Sequence, residues 1–137
     1  MKENFYMNIR NIALIGLLLT LSNPVLAKDI ILKRYIPAKK ASIEVKAVSF
    51  KGFRISKNCG GKEPMTCMAW KSTSIKIQNR TSASVPLVGH PAARNCQDLQ
   101  GVSLIFLDDK KNEVDYCVFR DESFINSWDL YHATNKN

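Results

Sequence analysis

The 137-residue sequence has few of the residues on which most enzyme and metal sites depend. Its only histidines are His90 and His132, and neither lies in a pattern that supplies a nucleophile and an orienting third group, as a catalytic triad requires. No two of its four cysteines have the two-residue spacing of a zinc knuckle. We therefore predict no catalytic residue, no cofactor and no metal site, and we do not expect an enzyme.

Long apolar runs are also missing, apart from one near the N-terminus. Residues 12–21 form an apolar core that is too short to span a bilayer. A basic segment precedes this core, and Val25 and Ala27 follow it at the positions that a signal peptidase reads. We predict cleavage after Ala27, with either Met1 or Met7 as the start, and a periplasmic or secreted mature protein.

All four cysteines follow the predicted cleavage site. An even number of cysteines in an exported chain of this length indicates a disulfide framework. Four cysteines allow three pairings, and proximity in the sequence favours Cys59–Cys67 and Cys96–Cys117. In the chain-entropy model these loops would stabilise the fold by about 2.6 and about 3.4 kcal/mol. A reduced zinc site is the alternative, and export disfavours it.

Positive charge is concentrated in the first half of the mature chain. Residues 28–87 carry thirteen Lys or Arg and three acids, a net charge of +10, whereas residues 88–137 carry five and eight, a net charge of −3. Such asymmetry suggests that one half meets an anionic partner. The prediction is an anionic envelope polymer or a membrane surface, bound through Lys33, Arg34, Lys39, Lys40, Lys46, Lys51 and Arg54. A solvated basic face is the alternative, and a protein partner is a further one.

Alternation of apolar and polar residues predicts strands in this basic half. Residues 42–48 alternate with period two, and residues 74–78 do so again. Residues 30–32 predict either a loose arm or a strand that Pro37 confines to an edge of the sheet.

Turn-forming residues dominate the stretch between these strands. Cys59 and Cys67 bracket a loop there, and a loop clamped by a disulfide binds with a lower ordering cost. Inhibition of a hydrolase through residues 60–66 is therefore an alternative function. Residues 79–88 are polar and Ser-rich, which indicates a linker between two halves.

The second half predicts a helix followed by a hairpin. Pro91 suits a first helical turn and Gly101 a helix end, and Cys96 falls on the apolar face between them. Two apolar strands then flank a polar turn at residues 108–113. A last short helix or extended segment covers residues 124–132.

Together these elements predict an α+β fold. Residues 88–137 would form a small domain in which a helix packs on an antiparallel hairpin. A disulfide would staple the two, because so short a domain rarely holds together by apolar burial alone. Residues 28–87 would form a β-rich basic half before it, and residues 1–27 the signal peptide. We expect a monomer.

Several motifs in the second half resemble a known bacterial family. They are His90-Pro-Ala-Ala-Arg-Asn-Cys96, Gly101, Asp115-Tyr116-Cys117-Val118-Phe119, Asp121-Glu122-Ser123 and Trp128-Asp-Leu-Tyr131. In order and spacing they resemble the family called Domain of Unknown Function 333, whose members are often labelled hemolysins. The resemblance covers residues 88–132.

Three residues depart from the family pattern. His90 stands in place of Asn, Gln100 in place of the first of two Gly, and Glu122 in place of the Gly in Asp-Gly-Ser. We expect a weaker helix cap at His90 and turns that accept a Cβ at the other two positions.

The resemblance implies an exported small domain with a structural disulfide and no established reaction. The chain has no amphipathic helix of useful length and no long repeat of alternating strands, which pore formers and lytic proteins need. We therefore predict a non-enzymatic binding or structural module of the bacterial envelope, with a membrane-interacting hemolysin as an alternative.

Signal removal and the number of disulfides can be tested together on the exported protein. We expect the intact mass to match residues 28–137 with four hydrogens missing, because all four thiols are oxidised. Mass spectrometry after reduction and alkylation should then find four modified cysteines. Alkylation without reduction is the control, and any modification there would contradict the prediction.

Overall fold

The computed structural model describes residues 28–59, 65–77 and 90–135. Six strands follow in chain order: β1 (Ile30–Ile36), β2 (Ala41–Phe50), β3 (Phe53–Ser56), β4 (Val102–Leu107), β5 (Glu113–Val118) and β6 (Phe124–Asn126). The helices are α1 (Met68–Ser72), α2 (Pro91–Asp98) and α3 (Ser127–Thr134). Outside the described residues lie the predicted signal peptide, the predicted linker at residues 79–88, and residues 60–64 of the loop between Cys59 and Cys67.

The six strands form one closed antiparallel barrel in the order β1-β2-β3-β6-β5-β4. Long ladders join β1 to β2 and β4 to β5. Two short ladders close the barrel. In one, Lys33 and Arg34 lie opposite residues 107 and 106, and in the other Ile55 lies opposite Ile125.

The predicted α+β fold is therefore wrong. Strands from the basic half and from the C-terminal half share one sheet, so the fold is a mostly β barrel and not a helix on an isolated hairpin with a β-rich half before it. Alternation within a strand shows which residues share a face, but it carries no information on partners some seventy residues away, such as Ile55 and Ile125. β1 has a neighbour on each side, and Pro37 begins a short 3-10 turn after it instead of confining it to an edge.

Two local predictions also need correction. Residues 74–77, the described part of a predicted strand, contain no strand. Just before them, Met68–Ser72 form the short helix α1, which the sequence analysis missed. Both errors arise because five to seven residues are too few for periodicity to separate a strand from a single helical turn.

Alternating side chains build two apolar layers. One lies inside the barrel and consists of Leu32, Ala47, Phe106, Tyr116, Val118 and Phe124. The other lies between the barrel and the helices and includes Val48, Ile55, Cys96, Leu99, Cys117, Ile125 and Leu130. The helices thus cover one side of a closed barrel. None of the helices in the described ranges has the length and hydrophobicity that a bilayer crossing requires.

Two disulfides hold parts of these layers together. Cys96 of α2 is bonded to Cys117 of β5 with their Cα atoms 5.5 Å apart, and Cys59 is bonded to Cys67 with a Cα separation of 5.4 Å. Both bonds join the pairs that sequence proximity favours. Cys96 and Cys117 are fully buried, as expected for a cysteine on the apolar face of α2.

The turn after α2 explains why Gly101 is needed. The left-handed residue is Gln100, with φ at 66°, and Gly101 donates its N–H to the Cys96 carbonyl over 2.9 Å. A Cβ on Gly101 would lie 2.9 Å from the sulfur of Cys96 and still closer to that of Cys117. Glu122, with φ at 62°, is the second residue whose turn accepts a Cβ. Gly101 thus provides space for the disulfide, whereas Gln100 and Glu122 carry backbone strain.

Substitutions at Gln100 and Gly101 should change stability in opposite directions. We expect Gly101→Ala to lower the free energy of unfolding by about 2 kcal/mol or more, because its methyl group overlaps the buried disulfide. Gln100→Gly should raise that free energy by about 1 kcal/mol, because glycine adopts the left-handed conformation without strain. Urea unfolding with disulfides intact measures both. Equal effects of one sign would contradict this account.

Candidate functional site

The β1–β2 hairpin extends beyond its neighbours in the barrel. Only Lys33 and Arg34 of β1 pair with β4, and β2 pairs with β3 only from Ala47 onward. The distal part of the hairpin, up to the turn at Pro37–Lys39, therefore projects from one end of the barrel. Within it Tyr35 is 55% exposed.

Four lysines of this hairpin are exposed: Lys39 and Lys40 at the turn, Lys33 where β1 pairs with β4, and Lys46 opposite Ile31 near the base of the hairpin. None of these four makes an ion pair within the described ranges. The nearest acid in the ladder is Glu44, which lies opposite Lys33. We call the four residues the hairpin lysines. They give the hairpin an excess of positive charge that no ion pair among the described residues neutralises.

The other three residues of the predicted basic set lie in different surroundings. Arg34 donates from Nη1 to Glu122 Oε2 over 2.7 Å. Arg54 holds Asp129 with two side-chain hydrogen bonds, of 3.0 and 2.7 Å, and its backbone N–H donates to the same carboxylate. Hydrogen bonding to Asp129 also raises the pKa of Arg54. Lys51 lies in the β2–β3 turn at the opposite end of β2, above the ring of Phe50. The predicted basic set is therefore not one surface.

Both histidines contact Trp128. The His90 ring meets it edge-on at a centroid distance of 4.7 Å, and the His132 ring stacks on it at 5.8 Å. Trp128 is 38% exposed although it is a large apolar side chain. His90 precedes α2 without a side-chain cap hydrogen bond, which confirms the weaker cap. Its Nε2 instead lies 3.7 Å from Asp115. All cysteines are in disulfides, so no thiol is available as a nucleophile beside either imidazole.

Asp108, one of the acids of the second half, stabilises a turn. Asp108 accepts hydrogen bonds from Asn112 and Lys110 in the β4–β5 turn, and those from Asn112 lower its pKa most.

Burial raises the pKa of Tyr116 to about 12, so the phenol stays protonated at neutral pH. Among the described residues, no three His, Cys, Asp or Glu lie in a group that could hold a metal ion.

The Asp121-Glu122-Ser123 motif caps α1, a role that its sequence did not reveal. The Met68 N–H donates to Asp121 Oδ2 over 2.8 Å, and the Ala69 N–H donates to Ser123 Oγ over 3.0 Å. The next N–H, of Trp70, is directed at Cys67 Sγ. The otherwise unsatisfied donors at the start of α1 therefore find partners in a turn more than fifty residues away.

The Cys59–Cys67 loop is described only at its ends. Cys59 and Met65 are buried in the layer beneath the helices. These contacts anchor the loop to the barrel, and residues 60–64 lie outside the described ranges.

Residues 88–134 match the family model described as Domain of unknown function (DUF333). This confirms the resemblance inferred from the motifs. The matched segment runs from just before α2 to the last residue of α3, whereas β1, β2, β3 and α1 precede it. No curated protein and no solved structure matches the chain. A domain of unknown function is the coarse assignment, and nothing in these comparisons indicates an enzyme.

The capping role of Asp121 predicts a pH-dependent stability. Burial disfavours its charged form, but hydrogen bonds from Met68 and Ser123 outweigh burial and lower its pKa. A carboxyl whose pKa is lower in the folded state stabilises the fold above its unfolded pKa, about 3.9, and loses that contribution as the pH falls. We expect Asp121→Ala to lower the free energy of unfolding by about 1 kcal/mol at neutral pH, the usual cost of a lost cap.

The difference between wild type and Asp121→Ala should shrink as the pH falls below about 4, since protonation removes the same carboxylate from the wild type. Urea unfolding across pH 2.5–7 measures it. Asp109→Ala, in the exposed β4–β5 turn, is the matched control and should change little. A difference that stays constant with pH would show that Asp121 acts otherwise.

Proposed function

We propose that this protein is an exported, non-enzymatic binding module of the bacterial envelope, which binds a phosphate-bearing envelope polymer through the β1–β2 hairpin. The proposal rests on one observation: the hairpin lysines are exposed along a hairpin whose turn extends beyond the barrel, and none of them makes an ion pair with a described acid. Export through the signal peptide cleaved after Ala27 is part of the same proposal. Lipopolysaccharide and teichoic acid are polymers of this class.

The geometry favours an extended anion over a single small one. Lys33 and Lys46 lie on the strands, whereas Lys39 and Lys40 lie at the turn, so the four charges spread along the hairpin. Cations distributed in this way gain affinity by releasing counterions from a polyanion. Exposed Tyr35 lies on the same outward face of β1 as Lys33 and adds an aromatic surface beside the charges.

No described contact favours the two alternatives. A hydrolase inhibitor would act through the Cys59–Cys67 loop, whose central residues lie outside the described ranges. A membrane-interacting hemolysin would need a membrane-binding surface, and the described residues show none apart from the hairpin lysines. Both stay predictions, and vesicle binding is an outcome of the experiment below.

The chain contains a matched pair of lysine turns for this test. Lys39 and Lys40 follow β1, and Lys110 and Lys111 follow β4; the second lysine of each pair is left-handed, with φ at 48° and 65°. Because β1 and β4 are antiparallel with Lys33 opposite residue 107, the two turns lie at opposite ends of the barrel. Exchanging either pair removes the same charge from an exposed turn.

We expect Lys39→Gln/Lys40→Gln to weaken binding of purified lipopolysaccharide at low salt. The magnitude of the slope of log affinity against log salt concentration should also fall by about 2, because binding of the variant releases about one polymer counterion fewer for each lysine that is removed. Lys110→Gln/Lys111→Gln is the control and should leave both quantities near wild type. Fluorescence titration at several salt concentrations measures them.

Equal losses from the two double variants would mean that only net charge matters, which would refute a hairpin site. Binding of anionic vesicles but not of the polymer would replace the proposed partner with a membrane surface.

A further inference from the structure

A cavity of about 390 Å³ opens at the end of the barrel that carries the β1–β2 turn. This volume lies within the range of small-molecule sites, about 300–1,000 Å³. Three of its lining residues are basic, one is acidic, one is an amide and three are apolar: Arg34, Lys46, Lys57, Glu122, Asn58, Ile43, Val45 and Phe124. The cavity therefore combines a surplus of positive charge with an apolar wall.

Arg34 is the central polar group of this cavity. Its side chain is only 18% exposed, and it belongs to the inward-facing side of β1. Glu122 engages it through one contact, from Nη1 to Oε2. The Nε atom is buried and has no hydrogen-bond partner among the described residues. A guanidinium has five N–H donors, so most of its capacity for a two-oxygen anion is unused.

The ion pair between Glu122 and Arg34 is weak. Its side chain is 70% exposed, and its backbone is held in the left-handed region at φ 62°. An ion pair with so exposed a partner contributes little, since both water and salt compete for it. An external anion can therefore displace this carboxylate at small cost.

The apolar wall favours an anion that carries an apolar group. Ile43 lies opposite Arg34 in the β1–β2 ladder and is 38% exposed, although it is a large apolar side chain. Val45 and Phe124 continue this wall toward the barrel interior, where Phe124 packs on Phe106. Covering this surface would add hydrophobic stabilisation to the charge interaction.

We propose that the mouth of the barrel binds a small amphipathic anion, a phosphate monoester or carboxylate with an apolar chain, whose anionic group takes the place of Glu122 on Arg34. Lys46, which makes no ion pair among the described residues, adds a positive charge, whereas Lys57 is held by both carboxylate oxygens of Asp29. Lys46 belongs to both sites, but the turn lysines Lys39 and Lys40, on which the test of polymer binding rests, do not line the cavity.

Octyl phosphate, below its critical micelle concentration, is the probe for this site. Isothermal titration calorimetry should show binding to the full mature chain, with inorganic phosphate at least about tenfold weaker because it leaves the apolar wall uncovered. Octyl glucoside, a neutral amphiphile with the same chain, should not bind. Absence of octyl phosphate binding at millimolar concentration would overturn the proposal.

Two variants with opposite effects on octyl phosphate affinity test whether its anionic group binds at Arg34. Arg34→Lys keeps the charge but loses the planar donor pair, so octyl phosphate should bind at least about tenfold more weakly. Glu122→Gln removes the competing carboxylate and should tighten binding about two- to fivefold. Glu113→Gln, an exposed carboxylate at the other end of the barrel, is the control. A structural defect cannot increase affinity, so Glu122→Gln tests the proposal even if Arg34→Lys folds poorly.

Unchanged affinity in Glu122→Gln, or an equal gain in Glu113→Gln, would overturn the proposal. The source of the anion is tested with vesicles of phosphatidylcholine with and without phosphatidic acid. If Arg34→Lys reduces their binding as it reduces that of octyl phosphate, the ligand is a lipid headgroup; if only octyl phosphate is affected, it is a free amphiphile. Lys39→Gln/Lys40→Gln should leave octyl phosphate binding unchanged, so failure here is distinguishable from failure of polymer binding.

Discussion

The barrel closes between β3 and β6 through a single residue pair, Ile55 opposite Ile125, and the remaining architecture depends on this closure. Both isoleucines are fully buried. One ladder position provides few backbone hydrogen bonds, so hydrogen bonds that involve side chains provide the remaining polar contacts between β3 and the segment from β6 to α3. Arg54 binds Asp129 at the start of α3, and the Phe124 N–H donates to Ser56 Oγ over 3.1 Å. Side-chain hydrogen bonds thus do between β3 and β6 what a longer ladder does between β1 and β2.

This closure makes the segment that matches the family and the strands before it parts of one core. The turn at Asp121 and Ser123 belongs to the matched segment, yet it caps α1, which lies outside that segment. The disulfide from α2 to β5 then fixes the helical layer on the outer face of the barrel. Each half leaves donors and apolar surface that the other half satisfies, which is why a small antiparallel hairpin need not be stable alone.

The same closure decides which basic residues remain available for binding. Arg34 and Arg54 bind carboxylates 88 and 75 residues away. The charge of Arg54 therefore stabilises the fold through Asp129, and that of Arg34 is paired with Glu122. Lys39 and Lys40 stay in solvent because the β1–β2 ladder continues past the strands that flank it, whereas Lys33 and Lys46 lie on the outward face of the ladder. The β1–β2 hairpin is longer than the strands beside it. Its turn lysines therefore extend beyond the barrel, and the cavity opens at the same end of the barrel.

The sequence by itself determined what depends on near neighbours. Period-two alternation located β2, the polar run from Asp108 located the β4–β5 turn, and Pro91 located the start of α2. Only the tertiary structure decided that two halves share a barrel, that Trp128 lies exposed between two histidines, and that Arg34 faces a cavity. The physical reason is separation along the chain: these features depend on contacts between distant residues, whose geometry no local pattern encodes.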